Sequence, residues 1–100
     1  MVYTCLSQGT SQRWRLDNAD SSVDNNIEHT FVRGQPPGRT VVQPPFTFTL
    51  VSSGQGQLKS TMSVLATASI HNTEVECTDI SSRQSIIIQI SGHTCIIIIL

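Results

Sequence analysis

Apolar and polar residues alternate in short runs along most of this chain. Tyr3 and Cys5 flank Thr4, and Trp14 and Leu16 interleave with Arg13 and Arg15. Phe46, Phe48 and Leu50 alternate with Thr47 and Thr49, and Met62, Val64 and Ala66 with Ser63 and Leu65. Val75 and Cys77 flank Glu76, and Ile86, Ile88 and Ile90 close the series. A period of two sets one face of a strand on a core and leaves the other in water. No long window carries the i, i+3, i+4, i+7 apolar spacing of a helix. Turn-forming clusters separate the runs. Pro36-Pro37-Gly38 and Pro44-Pro45 bracket a short Thr40-Val41-Val42 strand, and Ser52-Ser53-Gly54-Gln55-Gly56-Gln57 reads as a flexible turn. So many short strands in 100 residues predict an all-β, antiparallel sandwich.

Composition narrows the function classes. The length suits one domain. Charged residues make up 13% and the formal net charge is −1, so nothing draws the whole chain to nucleic acid or anionic lipid. Asp17, Asp20, Asp24 and Glu28 form one acidic stretch and Glu74, Glu76 and Asp79 another, with Arg33, Arg39 and Lys59 between them. These fit solvated loops and faces. His29, His71 and His93 stand apart from one another. His93-Thr94-Cys95 offers two metal ligands without a second pair at zinc-finger spacing. There is no Gly-x-Ser-x-Gly elbow, phosphate loop or His-Glu-x-x-His. Neither an enzymatic activity nor a cofactor is expected.

Cys5, Trp14 and Cys77 sharpen the expectation. Cys5 lies in an early strand, Trp14 in the next, and Cys77 in a strand near the end. At these residues the chain resembles the immunoglobulin superfamily, most of all the divergent Ig-like domains of invertebrate surface proteins. Val2-Tyr3-Thr4-Cys5 resembles strand B, Arg13-Trp14-Arg15-Leu16 strand C, and Ser60-Thr61-Met62-Ser63-Val64 strand E. Thr73-Glu74-Val75-Glu76-Cys77 resembles strand F, and Ser85 to Ile90 resembles strand G. Strand A has no counterpart. Val75 stands where the family carries the tyrosine of its corner motif, and Ser69-Ile70-His71-Asn72-Thr73 replaces the usual Asp-x-Gly or Asp-x-Ala approach. Asp17 to Pro45 reads as C′ and either C″ or D, joined by long loops.

The resemblance implies a Cys5–Cys77 disulfide between the two sheets with Trp14 packed beside it. Such a bridge implies secretion or surface display; the alternative is three unrelated buried thiols in a cytosolic protein. The Ig-like domain is expected over residues 1–91. Residues 92–100, ending in Cys95-Ile96-Ile97-Ile98-Ile99-Leu100, read as a linker or the start of a truncated hydrophobic segment. Membrane contact is expected only there, and the tail should find no partner within the domain. Cys95 is a free thiol, a membrane-proximal cysteine or a crosslink to another chain.

In the family the B–C and F–G loops share one end of the sandwich. Ser7, Gln8, Gly9, Thr10, Ser11 and Gln12, with Thr78, Asp79, Ile80, Ser81, Ser82 and Arg83, are therefore the candidate contact surface. The expected function is an extracellular recognition or adhesion module, with a protein or glycan ligand and neighbouring domains of the same polypeptide as partners. The alternative is a structural spacer in a multi-domain ectodomain.

Overall fold

The computed structural model describes residues 1–17, 27–54, 56–65, 67–80, 82–92 and 94–100. Among them nine strands form, most of them where the alternation predicts: β1 (Val2–Ser7), β2 (Ser11–Asp17), β3 (Ile27–Val32), β4 (Thr40–Gln43), β5 (Phe46–Ser52), β6 (Leu58–Val64), β7 (Thr73–Thr78), β8 (Arg83–Ser91) and β9 (Thr94–Ile99). Ala68–Ile70 makes a single 3₁₀ turn. Ala66 and His93 lie outside the described residues.

Two antiparallel sheets pack face to face. One has the order β1-β6-β5-β4 and the other β3-β2-β7-β8-β9. The period of two sorts the side chains: Trp14 and Leu16 of β2 face inward while Arg13, Arg15 and Asp17 face water. Phe46, Phe48 and Leu50 of β5 and Leu58, Met62 and Val64 of β6 come from the opposite sheet. Val75, Ile86 and Ile88 complete the inner layer. Full burial of each large apolar side chain contributes about 1.5–3 kcal/mol. Trp14 meets Tyr3 edge-on at 6.1 Å and Phe48 at 5.7 Å between ring centroids.

Cys5 of β1 and Cys77 of β7 are bonded, so a disulfide joins the sheets with a Cα–Cα distance of 6.4 Å. Trp14 is the cross-strand partner of Cys77, which places the indole beside the bridge.

The tail departs from expectation. Thr94–Ile99 is neither a linker nor partnerless: it is β9, paired antiparallel with β8 from Ser91↔Thr94 to Ile86↔Ile99. The physical reason is a turn. Gly92 has φ +61, the left-handed geometry that a tight hairpin needs and glycine adopts without steric cost. Cys95 and Ile97 then pack against the core while Ile96 and Ile98 face outward. Cys95 is a free thiol, and its sulfur lies 2.9 Å from that of Met1. Among the described residues, no helix is long and apolar enough to cross a membrane.

Candidate functional site

The two predicted loops do meet. Gly9, between β1 and β2, approaches the turn between β7 and β8 so closely that a Cβ on it would lie 3.1 Å from the Asp79 Cβ. A larger residue here would force the Asp79 side chain to give by a few tenths of an ångström. A third segment joins them from the end of β3. The Arg33 backbone N–H donates to the Thr10 carbonyl at 2.9 Å, and its Nη2 donates to the Gly9 carbonyl at 3.3 Å. From the sequence Arg33 counts only as a charge on a solvated face; the signal for more was a cation at the start of the turn-rich run Gly34-Gln35-Pro36-Pro37.

The β7–β8 turn is pinned from within. The Ser82 N–H and hydroxyl both donate to Asp79 Oδ1, at 2.6 and 3.0 Å, and the Asp79 N–H donates to the Ser82 carbonyl at 3.0 Å. This internal bonding fixes the turn's shape. At its tip Ile80 is 88% exposed. Gln8, Thr10 and Ser82 are exposed polar residues of these two segments, while Ser11, Thr78 and Asp79 are half-buried. Ser81 lies outside the described residues.

Three members of the expected surface face the other way. Ser7, Gly9 and Gln12 are buried. Gln12 has the same strand parity as Trp14 and Leu16, so β2 turns it into the core. There it joins the sheets through hydrogen bonds. Its Nε2 donates to the Leu58 carbonyl at 3.1 Å, the Ser7 Oγ at 3.0 Å and the Cys5 carbonyl at 3.3 Å. Its Oε1 accepts a short hydrogen bond from the Ser60 hydroxyl, which in turn accepts from Trp14 Nε1 at 2.7 Å. Both polar atoms of the Gln12 side chain are thereby satisfied, as a buried amide requires.

Arg83 also points away from the tip. It pairs with Glu76 at 2.8 Å and lies 4.0 Å from Glu74, on the outer face of the second sheet. Arg15 faces Glu28 at 4.0 Å nearby. Arg15, Asp17, Glu74, Glu76 and Arg83 line a shallow groove of about 170 Å³ in which both signs of charge are interspersed. Exposed pairs of this kind contribute about 0–1 kcal/mol each.

His29 of β3 is half-buried, 4.6 Å from Phe31 and 6.3 Å from Phe48 between centroids. Burial, helped by the positive charge of Arg39, holds its pKa below the usual histidine value. Its Nε2 has no hydrogen-bond partner among the described residues. Within that same set, no group of three His, Cys, Asp or Glu side chains is placed to hold a metal ion.

Comparison with protein-family models, with curated proteins and with solved structures finds no match to this chain.

Proposed function

We propose that the chain is an immunoglobulin-like recognition module of a secreted or cell-surface protein, and that the loop end carrying Ile80 is its contact surface. The strand orders support the Ig-like part. β1-β6-β5 runs as B-E-D and β3-β2-β7-β8 as C′-C-F-G, with the cysteines on B and F and the tryptophan on C. The buried disulfide supports an oxidising compartment.

One observation carries the recognition part: an apolar side chain, 88% exposed, sits on a turn already fixed by its own hydrogen bonds. Ile80 is the most exposed of the large apolar side chains among the described residues. A contact surface gains an anchor whose ordering cost has been met before binding. Arg33, tied to the Gly9 carbonyl of the β1–β2 loop, adds a cation to the same end of the sandwich.

The test is binding of the oxidised chain, multimerised on beads, to a glycan array and to a panel of cells. Ile80→Glu should abolish capture while leaving the denaturation midpoint unchanged. If the unaltered chain binds neither probe, or Ile80→Glu binds equally well, the loop end is not the contact surface and a spacer role stands.

A further inference from the structure

We infer that β9 is a homodimerisation edge, and that two copies of this chain pair their β9 strands antiparallel about a two-fold axis at Ile97. Among the described residues β9 ends its sheet, with no strand beyond it. The direction of its backbone groups follows from one hydrogen bond. The Leu100 N–H donates to the Ser85 carbonyl at 3.0 Å, so Leu100 faces β8. In an antiparallel pair, bonding direction alternates residue by residue. Ile98 and Ile96 therefore also face β8, and Cys95, Ile97 and Ile99 present their N–H and C=O groups outward.

Those outward residues are their own complement. With the axis at Ile97, Ile97 opposes Ile97 of the second copy, Cys95 opposes Ile99, and Ile99 opposes Cys95. All three are hydrogen-bonding pairs, each exchanging both N–H···O bonds. The intervening Ile96 and Ile98 oppose one another on the outer face, where side chains approach most closely. Ile96 and Ile98 are 45% and 38% exposed, and Ile99 is 79% exposed, so pairing removes apolar surface from water on both faces.

Charge and edge protection favour a second copy over an unlike partner. Between Gln84 and Leu100 there is no Asp, Glu, Lys or Arg to select a charged strand. Folded proteins usually guard a sheet edge with charge, proline or a covering group. Among the described residues the other three edges have such guards. On β1 the Gln84 amide donates to the Leu6 carbonyl at 3.0 Å. β3 carries Glu28, and β4 is followed at once by Pro44-Pro45. β9 has none, so pairing at this edge closes as a dimer and leaves the guarded edges outside.

The test uses the oxidised 100-residue chain in sedimentation equilibrium over a wide concentration range. The expected result is a monomer–dimer equilibrium. Ile99→Pro removes an outward N–H from a largely exposed edge residue and spares the bonds to β8. It should weaken association by at least about tenfold, while Ile80→Glu should leave it unchanged. A cysteine pair reads the register directly. On mild oxidation Cys95→Ser/Ile97→Cys should form a covalent dimer, and Cys95→Ser/Ile96→Cys should not. A chain that stays monomeric, grows into open-ended species, dimerises equally with Ile99→Pro, or crosslinks equally through both cysteine variants overturns the inference.

Discussion

Ser60→Ala is a deletion of one oxygen that strands two buried partners. The Ser60 hydroxyl accepts from Trp14 Nε1 and donates to Gln12 Oε1. Trp14, Gln12 and Ser60 are each 0% exposed, so bulk water does not reach the broken bonds. A buried polar group left without its partner costs about 1–3 kcal/mol. Two such groups, partly offset by no longer burying a hydroxyl, give an expected loss of about 2–4 kcal/mol. That is a large share of the ~5–15 kcal/mol available to a domain. Urea unfolding of the disulfide-intact protein is the assay. With a slope of about 1–3 kcal/mol/M, the midpoint should fall by roughly 1 M or more. A double-mutant cycle with Trp14→Phe isolates the indole bond, and a coupling of about 0.5–3 kcal/mol is expected. A loss within about half a kcal/mol, as for ordinary surface changes, or strict additivity in the cycle would refute the network.

Two further outcomes follow from the bridge and from His29. Peptide mapping without reduction should recover Cys5 linked to Cys77 and Cys95 as a thiol; because 72 residues separate the bonded pair, a Cys5→Ala/Cys77→Ala chain should lose about 4 kcal/mol by the loop-entropy argument. His29 titrates lower when folded than when unfolded, so the unfolded state takes up the proton first. The stability from neutral His29 is complete above about pH 6.5 and falls as the pH drops below that value through the folded pKa. His29→Gln should flatten this acid limb of the urea midpoint, and an equal acid loss in both proteins would assign it to other groups.

Most strands were legible because a period of two leaves little choice about which face is buried. The same rule made Gln12 readable as an inward residue, since it shares the parity of Trp14 and Leu16. Its placement on the contact surface came instead from treating Ser7 to Gln12 as one loop, when β2 already begins at Ser11. Its partner was not legible. Ser60 lies 48 residues away on the opposite sheet, and nothing local in either segment marks the pair. The tail was misjudged for a different reason. Cys95 to Leu100 is apolar on both faces, so alternation vanishes and only the turn remains as a signal. Ser91-Gly92-His93-Thr94 between two isoleucine runs was that signal. The pinned β7–β8 turn, by contrast, depends on Asp79 bonding to Ser82, a short-range contact of the kind turn chemistry predicts.

The buried polar network also bears on how the loop end is made. Apolar layers alone allow two sheets to slide or rotate over one another with little change in buried area, because hydrophobic contact is non-directional. A bridge at one point fixes separation but leaves rotation about that point. In this fold the Cys5–Cys77 bridge is one point and the Gln12 side chain, bonded to Ser60 opposite Cys5 and to the Leu58 carbonyl, is a second, one step closer to the loops along β2. Two points fix the angle between the sheets. That angle sets how the β1–β2 loop, which leaves the first sheet at Ser7, meets the β7–β8 turn of the second. A Cβ at Gly9 would lie 3.1 Å from the Asp79 Cβ, so the two segments meet closely there. On the proposed function, Gln12 would serve the presentation of Ile80 from inside the core, and the polar atoms it buries would orient the sheets as well as contribute to stability.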